Sequence, residues 1–244
     1  MGFTISDHGF DSLEAVEQGM KEVVEKYFYK GDFFKTLLCG GYSMEQIRYF
    51  AIQYSYYSRH FPRVLGAAIS AMAPQSSWWI PLADNLWDEA GRGIPGHAHE
   101  TLYRTFLHSV DETLALDERG MPWVPMSAAV ERAIQTFITF FYQATPLQAM
   151  AAVGFGSEFF AGDVMGVIAK GLQHARYNQL HPLDITFWRV HSDEHEPRHY
   201  QLCKEVLVDF HDPESLQIMY ETGREIAISE ATMYAQLHDE MMRL

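Results

Sequence analysis

The stretch FWRVHSDEHEPRHYQL, residues 187–202, carries His191, His195 and His199 four residues apart, with Asp193, Glu194 and Glu196 among them. Imidazole and carboxylate groups are the donors of a non-haem iron centre, and residues four apart on a helix project to one side, roughly 6 Å apart along the axis. A solvated face on an acidic helix gives a similar pattern, and it is the third histidine in register that turns the reading toward a metal. Pro197 stands inside the run, where it removes the backbone donor to residue 193 and crowds that turn.

Two other acids stand out by their surroundings. Glu158 lies in AVGFGSEFFAGDVMGV, where an acid among apolar and small residues must be paired or metal-bound to be tolerated. Glu89 in NLWDEAG closes an amphipathic segment beside Asp88, and an exposed helix-end acid accounts for it equally well on local grounds.

The elements that must position these side chains read as helices. Residues 11–29 have an acidic start and helical apolar spacing up to Gly31. Ser43 and Gln46 make a capping-box pattern ahead of a long, mostly apolar helix with an expected kink at Pro62. Residues 76–90 form a third, closed by GRGIPG, and a fourth runs from about His97 to Val110. Thr145-Pro146 with Gln148 caps the second of two consecutive antiparallel helices, SAAVERAIQTFITFFYQA and PLQAMAAVGFGSEFFAGDVMGVIAKGL. His181-Pro182 is expected to open the histidine helix, and Asp212-Pro213 opens the last, which runs nearly to Leu244. There is no alternating strand of useful length, no repeat and no low-complexity linker. The expectation is a single all-α domain spanning 1–244, of seven to nine helices.

Bulk composition narrows the partners. The chain has 244 residues, 48% of them hydrophobic and 20% charged, with a net charge of -14. That acidity argues against nucleic acid and anionic membranes, which need a basic face. Cys39 and Cys203 are too few for a disulfide framework. No apolar run of spanning length and no signal peptide is read from the sequence, so a cytoplasmic location is expected.

The run FFKTLLCGGYSMEQIRYFAIQYSYYSRHFPRVLGAAISAMAP resembles the amino-terminal half of the haem-oxygenase-like, TenA/PqqC-like superfamily. The segments beyond this run are similar to its metal-dependent branch, the haem-oxygenase-like diiron oxidases, and within it the Chlamydia death-domain-associated protein (CADD)-like group. That group shows N-x-x-x-E, then H-x-x-L followed by an aromatic, then a buried glutamate, then H-x-x-x-D-x-x-H preceded by aromatics. Asn85 and Glu89 fit the first element, His99 in HETLY the second, Glu158 the third, and Phe187-Trp188 leading to His191 the start of the last. The likeness runs from about Phe33 to about Leu207.

The last motif departs from the pattern. Counted from His191, the aspartate falls at His195 and the final histidine at Arg198; counted back from His199, they fall at Glu196 and Ser192. Residues seven apart on an α-helix return to within about 20° of one face, whereas eight apart are rotated by roughly 80°. A π-bulge near Pro197 would absorb one residue and return His199 to the face of His191. The middle ligand is then His195 or Glu196, with His195 preferred.

The resemblance implies an oxygen-dependent oxidase with two irons per chain held by Glu89, His99, Glu158, His191, His195 and His199, and O2 as co-substrate. Tyr54, Tyr57, Phe61, Trp87 and Phe159 are the expected wall residues around a small organic substrate. A homodimer is compatible with this reading. Three other readings compete with it. One is a metal-free enzyme of the same fold, PqqC-like or using a TenA-like cysteine. Another is a non-catalytic binding protein. The last is a ferritin-like bundle, for which EPRH (Glu196 to His199) supplies only one of the two Glu-x-x-His motifs needed.

Overall fold

The computed structural model describes residues 9–72 and 77–244, except the side chains of residues 194–197. Nine helical rods are formed among the described residues. They are α1 (13–29), α2 (Asp32–Leu38), α3 (Met44–Ala71), α4 (Trp79–Glu89), α5 (His99–Val110), α6 (Ala128–Phe140), α7 (Pro146–Leu172), α8 (186–207) and α9 (Pro213–Met241). An isolated antiparallel bridge between Leu116 and Pro122 is the only strand-like pairing among the described residues.

Local chemistry sets most of the boundaries. Ser43 and Thr145 both form reciprocal capping boxes, with Gln46 and Gln148 respectively, and Asp212 accepts from the Ser215 backbone at the start of α9. Helix α3 continues through Pro62 as one element. The histidine helix does not start at His181-Pro182 as expected. His181 instead donates from Nε2 to the Ser109 carbonyl at 2.6 Å, and the Asp184 side chain accepts from the Thr186 backbone at 2.9 Å. The segment is thus tied to the end of α5, and α8 opens at Thr186.

Three rods contain a π-helical turn: Glu25–Tyr29 in α1, Gly154–Glu158 in α7 and His191–His195 in α8. The last lies where the sequence required an absorbed residue, and α-helical geometry resumes at Glu196, one residue ahead of Pro197. His199 is 1% exposed, so the helix neither ends at the proline nor leaves this histidine in solvent.

Helices α7 and α9 form the centre of the bundle. Helix α9 packs against α1, α6 and the π turn of α7, while α3 covers α4, α5 and α6, and α8 lies across α7 beside α4 and α5. Helix α7 is long and apolar enough to cross a membrane by length and composition, contrary to the expectation from the sequence; 67% of its most apolar stretch is buried in the bundle, as befits a core helix. Its contact with α9 is close. A Cβ at Gly156 would stand 2.7 Å from Ile226 Cβ, and one at Gly223 would stand 2.5 Å from Phe155 Cβ. The Gly156→Ala variant is therefore expected to lose about 1–3 kcal/mol of stability through overpacking, despite alanine's better helix propensity. Thermal denaturation of the two proteins checks this, and an unchanged or higher midpoint would contradict the close packing.

Candidate metal centre

The first group of donors comes from α4, α5 and α8. On α4, Leu82, Asn85 and Asp88 are buried at a spacing of three, and Glu89 reaches inward from the edge of that stripe with its side chain 8% exposed. His99 opens α5 and is buried, as is His191 on α8. Glu89 Oε1 lies 3.0 Å from His99 Nδ1, and the rings of His99 and His191 are 4.1 Å apart between centroids. One donor atom from each of Glu89, His99 and His191 lies within 4.8 Å of the others. His191 Nδ1 donates to the Phe187 carbonyl at 2.7 Å. A carbonyl only accepts, so the proton is on Nδ1 and Nε2 is the nitrogen able to hold a metal.

The second group is Glu158, His199 and Asp88. Glu158 closes the π turn of α7, and its Oε1 accepts from Asn85 Nδ2 at 2.6 Å. His199 sits between two acids, with Nε2 3.1 Å from Asp88 Oδ2 and Nδ1 3.5 Å from Glu158 Oε2. Asp88 is also gripped by Arg92 on one oxygen and Arg198 on the other, and both arginines reach Asp84. Burial alone would raise the Asp88 carboxyl, but His199, Arg92 and Arg198 together hold it well below the usual carboxylate range. An ionised Asp88 accepts the Nε2 proton of His199 and so turns the basic Nδ1 toward Glu158.

The donor set fits iron. Carboxylate oxygens and imidazole nitrogens without thiolates suit non-haem iron, and Glu89, His99 and His191 have the composition of a two-histidine, one-carboxylate face. A cavity of about 40 Å³ adjoins them, lined in part by Tyr54, Tyr57, Phe61 and Phe187 as well as Glu89 and His191. Beneath lies an aromatic floor in which Trp188 packs on Tyr54 at 4.9 Å and on Phe106 at 5.5 Å.

Not every expected residue comes to this place. Trp87 is 50% exposed, because two residues on from Asn85 it falls on the opposite side of α4. Phe159 is turned about 100° from Glu158 and packs on Phe155 and Tyr200, away from the cavity. The side chains of His195 and Glu196, the alternatives for the middle ligand, lie outside the described residues. Sequence reasoning passed over Asp88, although its spacing of three from Asn85 and Leu82 puts it on the inward stripe. It also passed over Glu230 in IAISEATMYA, an acid in the same kind of apolar setting that singled out Glu158.

The family described as iron-containing redox enzyme matches residues 48–238, a span that holds every one of these donors. The chain belongs to that family. Solved structures share its haem-oxygenase-like fold at low sequence identity. A domain of unknown function with a heme oxygenase-like fold from Shewanella denitrificans superposes with a TM-score of 0.73 at 16% identity, covering 98% of this chain and 95% of that one. A CADD-like protein of unknown function from Nostoc punctiforme gives 0.71 at 16% identity over 93% and 97% of the two chains. A TenA homologue from Pseudomonas syringae pv. tomato gives 0.68 at 10% identity over 100% and 98%. No curated protein matches the chain in sequence.

The hydrogen bonds fix ring tautomers in a way that needs no metal to observe. In the metal-free protein, 15N-histidine NMR is expected to show His191 protonated on Nδ1 and His199 on Nε2. Asp88→Asn should mix the two His199 tautomers and leave His191 unchanged. An unaltered His199 spectrum in that variant would mean that Asp88 does not orient the ring.

Proposed function

We propose that this iron-containing redox enzyme is an oxygen-dependent oxidase with two irons per chain, acting on a small organic molecule. The observation that carries the reading is the placement of two neighbouring imidazole–carboxylate groups, brought to one buried region by the π turns of α7 and α8. Glu89, His99 and His191 would hold one iron, and Glu158 and His199 the other, with the side chain of residue 195 or 196 as the remaining donor. Bound iron supplies the one-electron steps and the oxygen activation that amino-acid side chains lack.

The chain's own residues do the rest. The Phe187 carbonyl and the Asp88 carboxylate hold the His191 and His199 rings in the tautomers that leave Nε2 and Nδ1, respectively, for the metal. Asn85 holds one Glu158 oxygen and so directs the other toward His199. Tyr54, Tyr57 and Phe61 wall the cavity and keep water from the reacting centre. With a net charge of -14 the chain is proposed to act without nucleic acid or membrane. The exposed thiol of Cys39 is in keeping with work in a reducing cytoplasm. A homodimer is the proposed assembly.

A single-iron centre at Glu89, His99 and His191 is the second reading, favoured by the close approach of that trio and by the commitment of Asp88 to two arginines. Anaerobic loading with ferrous iron separates the two. The diiron reading expects nearly two irons per chain and oxygen-dependent oxidation of both on mixing. Uptake of one iron supports the alternative, and no specific uptake removes both.

His199→Ala and Glu158→Ala test the second position directly. Each is expected to lower iron content toward one per chain in a protein that remains folded by circular dichroism, and His191→Ala to lower it comparably. Full iron content in His199→Ala would take that histidine out of the centre.

A further inference from the structure

Helix α9 contributes one acid to the cavity, and the iron reading does not use it. Glu230 sits on the inner face of α9 near buried Ile226, Ala227, Ala231 and Tyr234. It lines the same cavity as Glu89 and His191. Burial raises its carboxyl to about 7, the Tyr57 and Tyr234 hydroxyls offset this in part as donors, and the charge of Glu158 adds to the rise. Among the described residues, the charged group that acts on it is another acid, Glu158.

The other acids of this region each have a nitrogen partner among the described residues. Asp84 and Asp88 are held by Arg92 and Arg198, and Glu89 and Glu158 stand beside His99 and His199. Iron, where bound, would neutralise Glu89 and Glu158 further. Among the described residues, Glu230 is the acid of the cavity wall with no arginine or imidazole partner beside it. A buried carboxylate of that kind is stabilised by a cation that can also donate hydrogen bonds to it. The nearby Tyr57 and Tyr234 hydroxyls could satisfy only part of the roughly four acceptor positions of a carboxylate.

We propose that Glu230 is the specificity-determining residue of the cavity, anchoring a protonated amine of the substrate opposite Glu89 and His191. The assignment rests on the proposed oxidase reading for the fate of the substrate, but not for the recognition itself. The cavity's volume of about 40 Å³ corresponds to roughly three or four waters at ~10–15 Å³ each, so the anchored end of the substrate is small and unbranched. Tyr57 and Phe61 would flank its apolar portion.

The test compares three small probes, ethylammonium, ethanol and propionate, binding to the full chain, both metal-free and loaded anaerobically with ferrous iron. Thermal shift and calorimetry report affinity, and metal analysis reports iron content. Ethylammonium is expected to bind and raise the melting temperature, with ethanol and propionate at least tenfold weaker. Glu230→Gln keeps the shape and removes the charge, so it should weaken ethylammonium at least tenfold while leaving iron content and circular dichroism unchanged. Glu230→Asp should retain part of the affinity, which a merely structural role would not predict.

Equal ethylammonium affinity in wild type and Glu230→Gln overturns the proposal. So does tighter binding of propionate than of ethylammonium, or no ethylammonium binding to wild type. A fall in iron content in Glu230→Gln would make Glu230 a metal ligand and overturn the anchoring role. If the wild type takes up no iron, the oxidase reading fails alone, and the metal-free comparison still decides the role of Glu230.

Discussion

An α-helix cannot aim side chains eight residues apart at one point, because their directions differ by roughly 80°. His191 and His199 stand eight apart, yet both are buried on the interior side of α8. The π turn at His191–His195 resolves the conflict by absorbing one residue. Pro197, which has no backbone donor, then enters the resumed α-helix with no hydrogen bond to lose at its own nitrogen. Everything else in the site is arranged around the two histidines this turn brings together. His191 meets His99 and Glu89 on one side, and His199 meets Glu158 and Asp88 on the other.

The second π turn plays the corresponding part in α7. It ends at Glu158, and its Gly156 admits α9 at a distance that no Cβ would permit. The same contact that seats Glu158 therefore seats the face of α9 that carries Glu230. Packing and polar chemistry are coupled here, since a shift of α9 would move the acid on the cavity wall along with the core.

Electrostatics explains why so many acids can share a small interior. Each of Asp84, Asp88, Glu89 and Glu158 has an arginine or a histidine beside it, and Asn85 satisfies one oxygen of Glu158. Arg198, which occupies the place where the resemblance leads one to look for a terminal histidine, is not a vacant position. It holds Asp88, and Asp88 in turn orients His199. The departure from the family pattern thus carries a structural role of its own.

The sequence by itself determined the helices, because their signals are local. Capping boxes at Ser43 and Thr145, the Asp212-Pro213 start and the 3.6-residue apolar spacing act within a turn or two of chain. Set against the motif of the family it resembles, it also pointed to an absorbed residue before His199, and its local composition pointed to Glu158, whose apolar neighbours are sequential. Tertiary structure decided what depends on which face meets which. It turned Trp87 outward and Phe159 aside, moved the start of α8 to Thr186 through contacts with α5, drew Glu89 inward from the helix end to His99, and made Asp88 the partner of His199. Glu230 became visible as a cavity residue only when α9 was packed against α7. Residues 41 to 183 positions apart in the chain meet within a few ångströms, and no local spacing encodes such a meeting.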